Sequence, residues 1–384
     1  MVPATYQDDL AFLSAHTRLV TLSAGDAGEV AVAPQWQGRV MTSSAAPADG
    51  AGLGWINRPF IESGRTGTAF DNYGGEDRFW LGPEGGQFAL WFRSPQPFDL
   101  GHWSTPAGFN TGRFGVTSQG PASVAMAARF AVTNYSGTTF EVAVKRVIDA
   151  LPRRRVAECV GAALPESVAC VAFESTNTAA NVGGEPWTRQ GGLVSIWALG
   201  QFNPLPRGMV IAPFTPGPVE QLGPMPNGEY FGPIGADRFR LMDDYLLFRC
   251  DGRCRSKLGI SPRRAREAIG SYDGDAGLLT IVQFNLPDNA ADLPYVNSLW
   301  EVQDRPFAGD VINSYNDGEE FPGAGQLGPF YEIETSSPAA ELAPDQGLTH
   351  VHRTMHFTGG HEDLNAIAKR ALGIDLGKVP FPRG

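Results

Sequence analysis

The chain has 384 residues, more than one average domain and fewer than three. Its 30 Lys+Arg stand against 41 Asp+Glu, and a formal net charge of −11 excludes a surface built to grip phosphate backbones, so no nucleic-acid partner is expected. Apolar residues make up 42% and charged residues 18%, enough to bury a large core, while no apolar run reaches the roughly eighteen residues that would span a membrane.

In chain order, residues 4–16 read as a short amphipathic helix with Tyr6, Leu10 and Leu13 on one side. The pattern then turns to period two. Residues 19–23 and 29–34 read as a hairpin, and 37–43 as a further strand. Residues 86–93 are an apolar, aromatic run that reads as a strand. Residues 123–134 and 139–150 form a hairpin through the turn 135–138. Further strands are expected at 169–176, 193–199, 209–213, 239–248, 278–284, 298–303, 330–335 and 349–357. Helices are expected at 153–160, 262–269 and, most clearly, 362–372, where Leu364, Ile367, Ala368 and Leu372 keep helical spacing. With 47 Gly and 30 Pro spread through the chain, no repeat and no long linker, the economical architecture is all-β. It is a large antiparallel sandwich formed as one domain over residues 1–384, with the helices 4–16 and 362–372 as caps.

Cys159 and Cys170, and Cys250 and Cys254, fall into two close pairs. The spacing does not make a four-cysteine zinc site. It leaves two local disulfides or four small buried hydrophobes, the second slightly favoured. Residues 1–6 carry no charged or apolar leader pattern, so the protein is expected in the cytoplasm, or in the periplasm or outside if a leader has been removed. The oligomeric state is left open.

Three segments carry polar chemistry. Residues 72–87 hold Tyr73, Glu76, Asp77, Arg78, Trp80 and Glu84 among five glycines. Carboxylates that accept hydroxyl donors and aromatic faces that take a ring suit a sugar; an Arg78 ion pair bracing a loop is the plainer alternative. Asn313, Tyr315 and Asn316 offer the same groups, or an Asx-rich turn. The third segment is the most specific. Glu332 and Glu334 share one face of their strand, and His350, His352 and His356 share one face of theirs. A carboxylate face beside an imidazole face can do acid–base chemistry near neutral pH. The expectation is therefore Glu332 or Glu334 with His350 or His352 as catalytic groups. No cofactor is expected, a metal on His350, His352 and His356 being the alternative. Asn177, Trp187 and His102, with Trp103, are further candidates to line a sugar cleft, and Arg255 and Lys257 to answer a substrate carboxylate. Residues 323–328 spell G-x-G-x-x-G but precede a proline and a strand, so they are read as a loop and not a dinucleotide site.

Residues 34–43, 73–87, 195–200 and 328–339 resemble an uncharacterised bacterial family over nearly the whole chain. That family resembles the galactose mutarotase-like superfamily in its strand order and its C-terminal Glu–His region. The resemblance implies a β-supersandwich with a saccharide on a concave sheet, and it places a glutamate as base and a histidine as acid in opening and reclosing a pyranose ring. On this sequence those would be Glu332 or Glu334, and His350, His352 or His356. The mid-chain Asn-x-x-x-His of aldose epimerases would fall near Asn177 to Trp187, where no histidine stands.

The expected function is thus sugar epimerisation or mutarotation. Glycoside hydrolysis or polysaccharide cleavage on the same fold, and saccharide binding without chemistry, are the alternatives. The discriminating observation is whether Glu332 or Glu334, the histidine strand and residues 73–87 converge on one pocket; if they lie on different faces, both enzyme readings with these residues fail together.

Overall fold

The computed structural model describes residues 4–67, 69–228, 230–321 and 323–381. Eighteen strands run through them: β1 Val20–Leu22, β2 Glu29–Ala33, β3 Arg39–Ser44, β4 Arg78–Gly82, β5 Gly115–Gln119, β6 Ser123–Thr133, β7 Thr139–Ala150, β8 Ala169–Asn181, β9 Ser195–Phe202, β10 Met209–Pro213, β11 Phe239–Leu241, β12 Tyr245–Arg249, β13 Ser256–Ile260, β14 Ala268–Asp273, β15 Leu278–Phe284, β16 Ile312–Asn316, β17 Tyr331–Ser336 and β18 Gly347–Thr358. They form a three-stranded sheet β1-β2-β3, a ten-stranded sheet β11-β12-β10-β14-β15-β18-β8-β7-β6-β5 and a five-stranded sheet β13-β16-β17-β9-β4. Every strand pair is antiparallel.

Side-chain alternation decides what lies between the two large sheets. Phe79 and Leu81 of β4, Ile196 of β9 and Ile333 of β17 face the ten-stranded sheet, where they share cores with Val142, Phe173, Val210 and Val282. The far side of the ten-stranded sheet is covered in part by helix His361–Ala371, whose Leu364, Ile367 and Ala368 pack on Leu279, Ile281, Met355 and Phe357. The N-terminal helix Tyr6–Ser14 starts in a capping box between Thr5 and Asp8 and buries Leu13 against Ala33 and Met41.

Three expected elements are absent. Residues 86–93 fold as turns: Gly86 has φ +84°, Ala89 N–H bonds back to Gly86, and Trp91 and Phe92 enter the core from a loop. Residues 298–303 are likewise irregular. Residues 262–269 are not a helix. Arg264 is fully buried and donates to the carbonyls of Thr215, Gly217, Gly223 and Pro224, which ties the segment into a turn before Ala268 joins the β14–β15 ladder. The expected strand 239–248 is two strands, β11 and β12, joined by a turn.

Candidate functional site

The face of the five-stranded sheet that looks away from the ten-stranded sheet is polar. Strand pairing aligns Arg78 with Leu199, Leu199 with Glu334 and Glu334 with Asn313. The parallel row aligns Gln201 with Glu332, Glu332 with Tyr315 and Tyr315 with Lys257. Five strands thus put two carboxylates, two cations, two amides and a phenol on one floor.

The charges are paired. Arg78 Nη2 donates to Glu332 Oε1. Lys257 Nζ donates to Glu334 Oε2 at 3.0 Å, and Trp197 Nε1 donates to the same oxygen at 2.9 Å. The Arg78 guanidinium also lies 4.6 Å from the Trp80 ring centroid, and Lys257 Nζ lies 4.9 Å from that of Trp197. Above this floor is a cavity of about 460 Å³, within the usual range of roughly 300–1,000 Å³ for ligand pockets. Its walls come from loops and include Phe70, Glu84, Trp103, Phe231, Trp300 and Leu327. Glu84 Oε1 accepts from Trp103 Nε1 at 2.8 Å.

Several buried polar atoms on the floor have no hydrogen-bond partner: Arg78 Nε and Nη1, Trp80 Nε1, Gln201 Oε1 and Glu334 Oε1. Such atoms cost stability unless something answers them.

Burial pushes the Glu332 carboxyl up to about 7, with the Arg78 guanidinium pulling against it and Glu334 adding to it. Burial also raises the Glu84 carboxyl, opposed by Lys257. Burial acts against the Lys257 charge, but Glu334 and Glu84 outweigh it and hold the ammonium above its ordinary value. One cavity therefore contains two carboxyls that burial raises, Glu332 to about 7.

Glu332, Arg78, Trp80, Glu84 and Tyr315 line this cavity, and Glu334 is bonded to two of its lining residues. Arg255, Lys257 and Trp103 join them. Asn313 lies on the same face but lines a neighbouring cavity. The remaining candidates lie elsewhere. Tyr73 stacks on Trp36, ring centroids 4.2 Å apart. Asp77 forms a fully buried ion pair with Arg146 at 2.6 Å, and Arg146 also donates to Asn177 Oδ1. His102 pairs with Asp99 outside the cavity. Trp187 packs edge-on against Phe140. Asn316 points to the opposite face of β16 and braces Gly252 and Cys254.

The three histidines do share a face, as their spacing requires, but that face of β18 looks between the two large sheets. His350 Nε2 and His352 Nδ1 both reach Thr335 Oγ1, at 2.7 and 2.8 Å. Thr335 points to the side of β17 opposite Glu332 and Glu334. Burial lowers His350 to about 3 and lowers His352 as well, so both are neutral at pH 7. His356 Nε2 lies 2.9 Å from Glu76 Oε2 and its Nδ1 lies 2.8 Å from Thr280 Oγ1. It reaches a different cavity of about 450 Å³, with Asp9, Thr280 and Tyr331 in its lining. The expected pairing of Glu332 or Glu334 with His350 or His352 is therefore not brought together: β17 separates the two sets. Among the described residues no three His, Cys, Asp or Glu side chains gather as metal ligands.

Trp197, Gln201 and Trp300 were not expected. Trp197 and Gln201 lie on β9, where period two alone indicates that residues of one parity share a face. The lone Trp300 loop residue carries no such signal.

The fold is similar to that of solved aldose 1-epimerase-like and galactose mutarotase-like structures. A candidate aldose 1-epimerase of Escherichia coli K12 has this fold, with a TM-score of 0.51 at 12% identity over 89% of this chain and 99% of that one. A protein of Synechocystis sp. PCC 6803 scores 0.51 at 10% identity over 89% and 96% of the two chains. A galactose mutarotase-like protein of Lactobacillus casei ATCC 334 scores 0.50 at 10% identity over 88% and 100%. A search of curated protein sequences finds no match. The chain belongs to the family of unknown function DUF6786, whose sequence profile matches residues 4–381.

Proposed function

We propose that this protein binds a saccharide on the outer face of its five-stranded sheet and interconverts the anomers of an aldose or a related sugar. The observation that carries this reading is the set of unpartnered donors and acceptors on the floor, between the Arg78–Glu332 and Lys257–Glu334 pairs and under aromatic walls. A pyranose has hydroxyls that both donate and accept, and C–H faces that lie against indole rings. The fold shared with sugar epimerase-like proteins agrees with it.

In this mechanism Glu332 takes the proton of the anomeric hydroxyl as the bond from the anomeric carbon to the ring oxygen breaks. Glu84, raised by burial, gives a proton to that ring oxygen. Arg78 stabilises the Glu332 carboxylate. The open chain rotates about its first carbon–carbon bond, and the ring closes with both protons returned. His350 and His352 take no part.

The presence of two raised carboxyls in one cavity also favours a second reading, glycoside hydrolysis by an acid and a base or nucleophile. Proton NMR of the protein with aldoses, uronic acids and oligosaccharides separates the two. The expected result is faster exchange between anomer signals with no new product. New reducing-end signals replace epimerisation by hydrolysis, and no change in any spectrum overturns catalysis.

A further inference from the structure

The five-stranded sheet does not end where the cavity over Glu332 ends. Along the same face, β4 continues from Arg78 and Trp80 to Gly82, β9 from Trp197 back to Ser195, and β17 from Glu334 to Ser336. On the other side β16 gives Asn313 and β13 gives Gly259. A second cavity of about 410 Å³ lies over these residues, and it shares Trp197 and Lys257 with the first.

We infer that this second cavity is a saccharide subsite, and that the ligand is a disaccharide unit or longer lying across Trp197 and Lys257. The inference rests on the saccharide reading above. The floor side chains are small, Ser195 and Ser336 beside Gly82 and Gly259, and over the two glycines the lining residues Val296 and Asp310 close in, a Cβ on Gly259 falling 2.0 Å from Asp310 Oδ2. Ser195 is fully buried, lines this cavity, and its Oγ has no hydrogen-bond partner, so a hydroxyl group is called for there. Asn313 and Asp310 add an amide and a carboxylate to the same lining. Tyr230 supplies an aromatic wall; its hydroxyl donates to the Ser298 carbonyl at 2.5 Å, which fixes the ring. Lys257 Nζ lies 5.3 Å from the Tyr230 centroid and 4.9 Å from the Trp197 centroid, so the ammonium marks the saddle between the two cavities. The lining thus repeats the chemistry of the first cavity, hydroxyl-binding groups beside an aromatic face, about one sugar ring further along the sheet.

The test is a titration of the intact protein, followed by calorimetry and tryptophan fluorescence, with D-glucose, D-galactose, cellobiose, maltose and lactose. At least one disaccharide is expected to bind about tenfold more tightly than its constituent monosaccharides, as one or two added hydrogen bonds would give. Ser195→Val and, separately, Asp310→Ala should remove that gain while the monosaccharide affinity stays unchanged; Asp310 is partly exposed, so its variant tests the idea even if the Ser195 variant does not fold. Equal affinity for monosaccharides and disaccharides, or a gain that survives both substitutions, overturns the second subsite and leaves the first. No binding by any sugar overturns the saccharide reading itself.

Discussion

Glu332 is held between a guanidinium that favours its charge and a buried, carboxylate-rich setting that opposes it. Because burial wins and places its pKa at about 7, the base is half formed at neutral pH. The rate of anomer exchange should rise with pH through a limb near 7 as Glu332 loses its proton, and fall again once Glu84, the acid, loses its own. Lys257 pulls the Glu332 pKa down, so Lys257→Met should move that limb to higher pH, measured as a pH–rate profile of both proteins. An unshifted limb would mean that another group carries it. The same group affects folding. Its proton is held more tightly in the folded chain than at the unfolded carboxyl value of about 4.3, so its stabilising contribution is complete below that value and is lost as pH rises through about 7.

The histidine strand predicts the opposite slope. His350 and His352 are buried neutral on β18, with folded values below the ordinary imidazole range. Their contribution is present above about pH 6.5 and is lost as pH falls toward 3. Thermal melts of His350→Gln between pH 7 and pH 4 should show a flatter acid decline than the parent chain. At pH 7 the same variant should lose about 1–3 kcal/mol for the disturbed bond to Thr335; an unchanged acid decline would refute the buried-histidine account. Strands with clean alternation were legible from the sequence: the β6–β7 hairpin, β17, β18 and the C-terminal helix all lie near their expected places. So was the shared face of Glu332 and Glu334. What alternation does not encode is which layer a face looks into. β17 and β18 follow each other in the chain but belong to different sheets, so the glutamates point outward and the histidines inward. The strands under Arg78, Asn313, Tyr315 and Lys257, themselves candidates in the sequence, were missed for a second reason. β4, β13 and β16 are five residues each, and Arg78, Lys257 and Asn313 interrupt the apolar pattern that identifies a strand.

At the scale of the molecule, the fold is similar to solved structures that share only 10–12% identity with this chain. The shared pattern is burial between two large sheets, which many sequences satisfy. All four cysteines are free thiols, so the sandwich is held by packing and hydrogen bonds. Thiol titration of the unfolded, unreduced protein should find four reactive groups per chain, and two or none would restore the disulfides. The central claim is that the working face is the outer face of the five-stranded sheet. Anomer exchange by proton NMR, compared among the parent chain, Glu332→Gln and His352→Asn, tests it most directly. The account predicts a loss of about a hundredfold or more for Glu332→Gln, the range of a lost general base, and an unchanged rate for the folded His352→Asn protein. A rate that survives Glu332→Gln and collapses with His352→Asn would contradict it.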